Sequence, residues 1–399
     1  YDSKKIASFC KPEQYQDCKS NIVFDPDSGA YHAQDSYYGY LVPPPEKKFY
    51  FPSAQNDLQL LDKITFYSFH DERYLSVSEH LQQSYCNSIL AVKNNEIFIE
   101  NYFNNEGAAH KPHMTQSVSK PLSALVCLSL IEDGILNYTD RVSEHIEMPY
   151  NSPFYNATLF QLLNMSVSLD LVENYDTEEL FTWMPGILSY LYDNGELTPH
   201  PLTANSRARD TMIEKAAWEH GTNYVYSSAN IQLLSMIVER VTGASFAQNF
   251  YERIWAKSGA ENEAFLITDR RGFCASDGGF CIAPRDLAKI AMALVHDGWS
   301  PAGYKIVDQS TISDIRDLEQ AQDMKAFENH YNRGFMVYAG DNIFHTGIYG
   351  QICCINVPTQ TAVIINSIQP YEFDHRLQDN NVLAAHALCM YLAGTPDEG

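Results

Sequence analysis

No apolar run in this chain approaches the roughly 20 residues that a helix needs to cross a bilayer, so no membrane span is expected. No run of lysine or arginine is present either. With 50 acidic residues against 27 basic ones the formal net charge is −23, a balance that repels nucleic acid and anionic lipid surfaces. A Walker-type phosphate loop and a Gly-x-Gly-x-x-Gly turn are both missing, which removes two common nucleotide-cradling signatures. The cysteines form no Cys-x-x-Cys pair. His110 and His113 have the spacing of a helical metal pair, but Pro112 separates them and no acidic or cysteine partner follows nearby. A solvated loop is the expectation there, with no metal and no cofactor. The chain has no internal repeat and no low-complexity tract.

What is present describes a globular protein. The 399 residues are 45% hydrophobic and 19% charged, enough to bury a sizeable core in one large unit or two closely packed lobes. Nine cysteines leave at least one thiol unpaired in a monomer. Cys10 and Cys18 are close together in a polar, Tyr-rich leader, where a short disulfide would compensate for poor packing and imply an oxidising compartment. The chain starts at Tyr1 without a methionine, as it would after removal of a signal peptide, so a periplasmic or secreted protein is expected. Asn137, Asn156 and Asn164 each begin an Asn-x-Ser/Thr sequon, read as chance matches.

Residues 1 to about 60, with the stretch VPPPEKKFYFP, show neither helical nor strand periodicity and are expected to be an irregular extension on a folded body. SILAV (88–92) and EIFIENYF (96–103), joined across Lys93, Asn94 and Asn95, predict a hairpin that enters a sheet. From Ser117, SVSKPLSALVCLSLIEDG spaces its apolar residues as a helix does, with Pro121 in the first turn and Gly134 as the stop. NIQLLSMIVERVTG predicts a second helix ended by Gly243, within an α-rich stretch from about 150 to 260. QICCINV and TAVIINSI read as strands around a turn at Pro358 and Thr359, and NVLAAHALCMYLAG as a final helix. Asp277, Gly278 and Gly279 form a bend before a helix starting near Pro284, assigned to packing and turn geometry.

A serine hydroxyl is a poor nucleophile near neutral pH and needs a base within hydrogen-bond reach. In Ser117-Val118-Ser119-Lys120 the lysine shares a helix face with the serine, and a helix N-terminus adds an electropositive field that favours a developing alkoxide and an unprotonated amine. The pattern alone is not specific. Ser8-Phe9-Cys10-Lys11 matches it too, inside the irregular leader.

Three stretches in order, MTQSVSK, GTNYVYSSANIQLLSMIVERVTG and FHTGIYGQ, together resemble the serine β-lactamase and penicillin-binding-protein superfamily. The likeness is greatest to its class C-like branch, which holds D-aminopeptidases, esterases and 6-aminohexanoate-dimer hydrolases, and it runs from about Ser88 to the last helix. The resemblance implies Ser117 as nucleophile, Lys120 as its proton acceptor and Tyr226 as a partner in the proton relay that serves the leaving group. That last role needs nearby cationic charge, which Lys120 supplies. It further implies an oxyanion hole from the backbone N–H groups of Ser117 and Ile348, fixed before charge develops on the substrate. His345 and Gly347 of the third motif, and Tyr175 on a loop of the α-rich lobe, are the implied substrate contacts. Two departures point away from β-lactams. Ser228 stands where the usual asparagine would hold a substrate amide, and His345 replaces a lysine whose fixed charge would receive a substrate carboxylate.

The expected fold class is therefore α/β in the α+β sense: a β-lactamase-like antiparallel sheet flanked by helices, with an inserted all-α lobe. The expected divisions are an irregular extension at 1–60, an α/β sheet domain from 61–110 and 282–399, and an α-rich lobe at 111–281. The expected activity is hydrolysis of an amide or ester in a small-molecule or short peptide-like substrate through an acyl-enzyme on Ser117. A D-alanyl carboxypeptidase or class C-type β-lactamase is the alternative enzyme, and a catalytically silent binding protein on the same fold is the alternative without turnover.

Overall fold

The structure, a computed structural model, describes residues 38–52, 58–103, 108–148, 150–170, 216–268, 273–325, 329–338, 341–370 and 373–394. In chain order the strands are β1 (Tyr38–Val42), β2 (Thr65–Ser68), β3 (Arg73–Ser76), β4 (Cys86–Lys93), β5 (Glu96–Tyr102), β6 (His113–Met114), β7 (Ala264–Thr268) and β8 (Phe280–Ile282). They continue with β9 (Gln322–Asp323), β10 (Asn329–Asn332), β11 (Phe335–Tyr338), β12 (Asn342–Gly347), β13 (Gln351–Asn356) and β14 (Thr361–Ser367). The principal helices are α1 (Ser119–Glu132), α2 (Ser228–Thr242), α3 (Pro284–Val295) and α4 (His375–Leu392).

The main sheet has eight antiparallel strands in the order β5-β4-β14-β13-β12-β11-β10-β9, so β4, from the first quarter of the chain, pairs with β14 from near its end. The β4–β5 hairpin closes through Asn94 and Asn95, whose φ values of 50° and 61° are the left-handed pair that a two-residue turn demands and asparagine tolerates. Every residue of β13 and β14 is buried because helices cover both faces. Cys353 and Ile355 face Leu287 and Ile290 of α3, while Cys354 meets Cys389 of α4 on the other side. Helix α1 is buried from Ser119 to Leu130 and packs against α2, as an element apolar on all sides must.

A second, four-stranded sheet runs β1-β7-β8-β6. It corrects three expectations. Residues 38–42 are not irregular, since Tyr38 to Val42 pair with Thr268 to Ala264. Gly39 weakens the strand signal in the sequence, yet it is required there: a Cβ would lie 2.2 Å from the Phe265 ring. The stretch 111–281 likewise contributes strands and not helices alone. His113 is not on a solvated loop either. It pairs with Ile282 in β6, and burial lowers its imidazole pKa to about 4, whereas His110 is exposed. Helix α4 begins at His375, six residues before the predicted start, with Asp374 capping the N–H of Leu377.

The seven described cysteines are buried free thiols; Cys10 and Cys18 lie outside the described residues. Asn164, one of the three sequons, is fully buried and donates to the Gln320 carbonyl, which supports the chance-match reading at that position.

An ionic cluster anchors the loop that leads into β7. Lys289 Nζ on α3 donates to Glu261 Oε1 at 2.7 Å and to Asp286 Oδ1 at 2.9 Å, and Asp286 also accepts the backbone N–H groups of Glu261 and Asn262. All three charged side chains are buried. Replacing Lys289 by alanine strands two carboxylates in the core, so Lys289→Ala should lose about 3–5 kcal/mol in urea unfolding. A loss under about 1 kcal/mol would mean that the cluster is slack.

Candidate active site

The nucleophile segment is held at both ends before it enters α1. Thr115 N–H donates to the Phe280 carbonyl at 2.8 Å, and the Thr115 and Ser119 hydroxyls are 2.9 Å apart. Gln116 has a φ of 51°, an uncommon left-handed conformation for a residue with a side chain, and Ser117 follows it in a single 3₁₀ turn, Gln116–Val118. Regular helix begins at Ser119, two residues later than predicted. Ser117 thus precedes the helix while keeping its spacing to Lys120.

Lys120 is 1% exposed. Its Nζ donates to Ser117 Oγ at 2.9 Å and to the Asp277 carbonyl at 2.9 Å, and lies 5.0 Å from the centroid of the Tyr226 ring. Tyr226 sits in the extended segment just before α2. Ser117 and Lys120 are therefore brought to one point with Tyr226, more than a hundred residues later in the sequence.

The third motif closes the site from the main sheet. His345 on β12 is 1% exposed, with its Nδ1 2.7 Å from the Thr346 carbonyl and its Nε2 3.4 Å from the Tyr331 hydroxyl. Burial first, then the charge on Lys120, push its pKa down to about 3, so the ring is neutral and Nδ1–H is the donor to Thr346. His345, implied as a substrate contact, lies beside the rings of Tyr226 and Tyr331, with centroids at 6.4 and 5.9 Å. Gly347 ends β12 against the nucleophile segment: a Cβ on it would lie 2.7 Å from the Thr115 carbonyl oxygen and 2.9 Å from Gln116 Cβ. Ser117 and Ile348 each follow closely on these touching residues. Tyr349, next along, has a φ of 63°, so a left-handed residue flanks each of the two implied oxyanion donors. Tyr175 lies outside the described residues.

Sequence reasoning missed Asp277. Read as part of a packing bend, it is 2% exposed, and beyond its carbonyl bond to Lys120 its carboxylate accepts hydrogen bonds from Gln232 Nε2 and the Ser228 hydroxyl of α2. Its partners are 45 or more residues away, and nothing in the local sequence marks a buried carboxylate. Among the described residues no group of three or more His, Cys, Asp and Glu side chains could hold a metal ion, and no helix is long and apolar enough to cross a membrane.

The family model for Beta-lactamase matches residues 82–387. The chain belongs to the beta-lactamase family. Among curated members, it is 26% identical over 316 residues to the 6-aminohexanoate-dimer hydrolase of Paenarthrobacter ureafaciens, covering 75% of this chain and 76% of that one. It is also 26% identical over 180 residues to Protein flp of Staphylococcus aureus (strain MW2), of which it covers only 32%. A Bacillus anthracis structure provisionally named a 6-aminohexanoate-dimer hydrolase superposes with a TM-score of 0.74 at 20% identity, over 100% of this chain and 96% of that one. A family VIII carboxylesterase superposes with a TM-score of 0.54 at 17% identity, over 76% and 92%. These structures share the fold. The protein is a hydrolase of this serine-dependent beta-lactamase family.

The approach of Gly347 to Thr115 predicts that Gly347→Ala separates the two segments. It should lower kcat/KM at least about tenfold while leaving the circular dichroism spectrum unchanged; unchanged kcat/KM would show that the approach is dispensable. His345 generates a pH prediction. Its folded pKa of about 3 lies below the ordinary value of 6.5, so the unfolded chain takes up a proton that the folded one refuses. The stability is present above pH ~6.5 and is lost as pH falls below it, at about 1.4 kcal/mol per unit for this ring. Urea unfolding between pH 7 and 4.5 should show a shallower loss in His345→Gln than in the parent, and parallel curves would contradict the buried neutral ring.

Proposed function

We propose that this protein hydrolyses an amide or ester bond through an acyl-enzyme on Ser117, in the manner of a 6-aminohexanoate-dimer hydrolase. The observation that carries the reading is the 2.9 Å separation of Lys120 Nζ and Ser117 Oγ in a buried setting, with Tyr226 over the amine. In the first half-reaction Ser117 Oγ attacks the acyl carbon and its proton passes to the neutral form of Lys120. The N–H groups of Ser117 and Ile348 receive the oxyanion, donors whose fixed placement avoids reorganisation as charge develops. Tyr226 relays the proton to the departing amine or alcohol. Water then attacks the acyl-serine, and the same groups run in reverse.

Substrate class follows from charge. Among the described residues of the third motif no fixed cation awaits a substrate carboxylate, because His345 is neutral and buried. The net charge of −23 disfavours the approach of anions further. Classical β-lactams carry that carboxylate; an ω-amino amide or a simple ester does not need it at this position.

Steady-state assays with a p-nitrophenyl ester, a linear ω-amino amide dimer and a chromogenic cephalosporin test the reading. The ester or the amide should exceed the cephalosporin at least about tenfold in kcat/KM, and Ser117→Ala should reduce turnover by about 10³-fold or more. Preference for the cephalosporin would reinstate the β-lactamase alternative. Retained turnover in Ser117→Ala would remove the acyl-serine mechanism.

A further inference from the structure

The bend that carries Asp277 is fixed from three directions. Ser123 Oγ on α1 donates to the Ser276 carbonyl at 2.6 Å, and the Ser276 hydroxyl lies 3.5 Å from the Ile231 carbonyl of α2. A Cβ on Gly278 would come 3.9 Å from the backbone carbon of Gln116, the residue before Ser117. The bend thus packs on the nucleophile segment, on α1 and on α2 together. Within it, Asp277 is buried.

A carboxylate and an ammonium are each expensive to bury alone and far less so together. Burial pushes the Asp277 carboxyl up from its ordinary range, and the charge on Lys120 is the largest influence pulling it back, followed by the hydrogen bonds from Gln232 and Ser228. The reciprocal effect acts on Lys120. The groups facing its amine from the surrounding elements are Ser117 on its own segment, the Tyr226 ring before α2, neutral His345 on β12 and Asp277 on the bend. Among these described groups, Asp277 is the carboxylate.

We propose that Asp277 is a positioning residue for Lys120: its backbone carbonyl, held in place by a buried carboxylate that Gln232 and Ser228 pin to α2, keeps the amine on Ser117, and the carboxylate charge sets the pH at which that amine becomes a base. The inference rests on the reading of Ser117 and Lys120 as nucleophile and proton acceptor. The proton leaving Ser117 Oγ goes to Lys120 Nζ, and Asp277 takes no part of it. Its negative charge favours the ammonium form, so it raises the pH needed to free the amine, while its backbone carbonyl keeps the amine in place. Ser228 has a role in this arrangement as well, since its hydroxyl binds the carboxylate.

The test is the pH profile of the second-order rate at which a fluorophosphonate labels the protein, read by intact mass in Asp277→Asn and in the parent. Removing the negative charge lowers the pH at which Lys120 becomes a free amine. The acid limb of the profile should therefore move to lower pH by about 0.5 to 1 unit or more, while the amine stays bonded to the backbone carbonyl at position 277. A folded Asp277→Asn whose acid limb is unmoved, or moved upward, overturns the proposal. If Asp277→Asn does not fold, Gln232→Met supplies a second perturbation in the same direction, because it removes a hydrogen bond that favours the ionised carboxylate. The limb should again move to lower pH, and an unmoved limb overturns the proposal. Failure of the underlying reading has another signature: the probe would still label Ser117→Ala.

Discussion

A lysine amine with about one per cent of its side chain exposed has to be satisfied entirely by protein groups, and the site is organised around that demand. Lys120 reaches a hydroxyl, a backbone carbonyl and an aromatic face, each from a different part of the chain. Its place on α1 follows from the helix. The other three groups must be carried to it, and the fold does so by packing α2 and the 276–279 bend against α1 and by ending β12 at the nucleophile. The same amine helps to explain its neighbours, because its charge is one cause of the neutral state of His345 and partly offsets the rise that burial imposes on the Asp277 carboxyl.

Rigidity at the site comes from close backbone approach and from strained turns. Gly347 can touch Thr115 only because it has no side chain, and Gln116 and Tyr349 hold left-handed conformations that cost of order 1–3 kcal/mol each. Such strain persists where surrounding packing enforces it. Here the eight-stranded sheet, buried on both faces at β13 and β14, provides that support, and the strained residues flank the two backbone N–H groups assigned to the oxyanion.

Elements with an unbroken local pattern were legible in the sequence. The 86–102 hairpin, α1, α2 with its left-handed Gly243, the β13–β14 pair and the stop at Gly134 all follow from periodicity and turn chemistry. Elements stabilised by distant partners were not. Strand β1 pairs with residues more than two hundred positions later and carries a glycine. The first turns of α4 bury Gln378, Asn380 and Asn381, polar residues that interrupt an apolar pattern; Asn381 bonds to His80, and Asn380 to Asp71. Asp277 is illegible for the same reason, since a buried carboxylate is recognisable only once its partners from α1 and α2 are beside it. The Ser117, Lys120 and Tyr226 cluster was found through the order of three motifs. His345 was correctly placed in the third motif, but its burial beside Tyr226 and Tyr331 depends on tertiary packing that no spacing encodes.

The central claim is an acyl-enzyme on Ser117. It is tested most directly by mixing concentrated protein with p-nitrophenyl acetate, quenching in acid within the first turnovers, and mapping the adduct by peptide mass spectrometry. The account predicts a burst of p-nitrophenol close to one equivalent and a single acetyl group on the peptide that contains Ser117. Turnover with no burst and no adduct, or an acetyl group on a different residue, would contradict it.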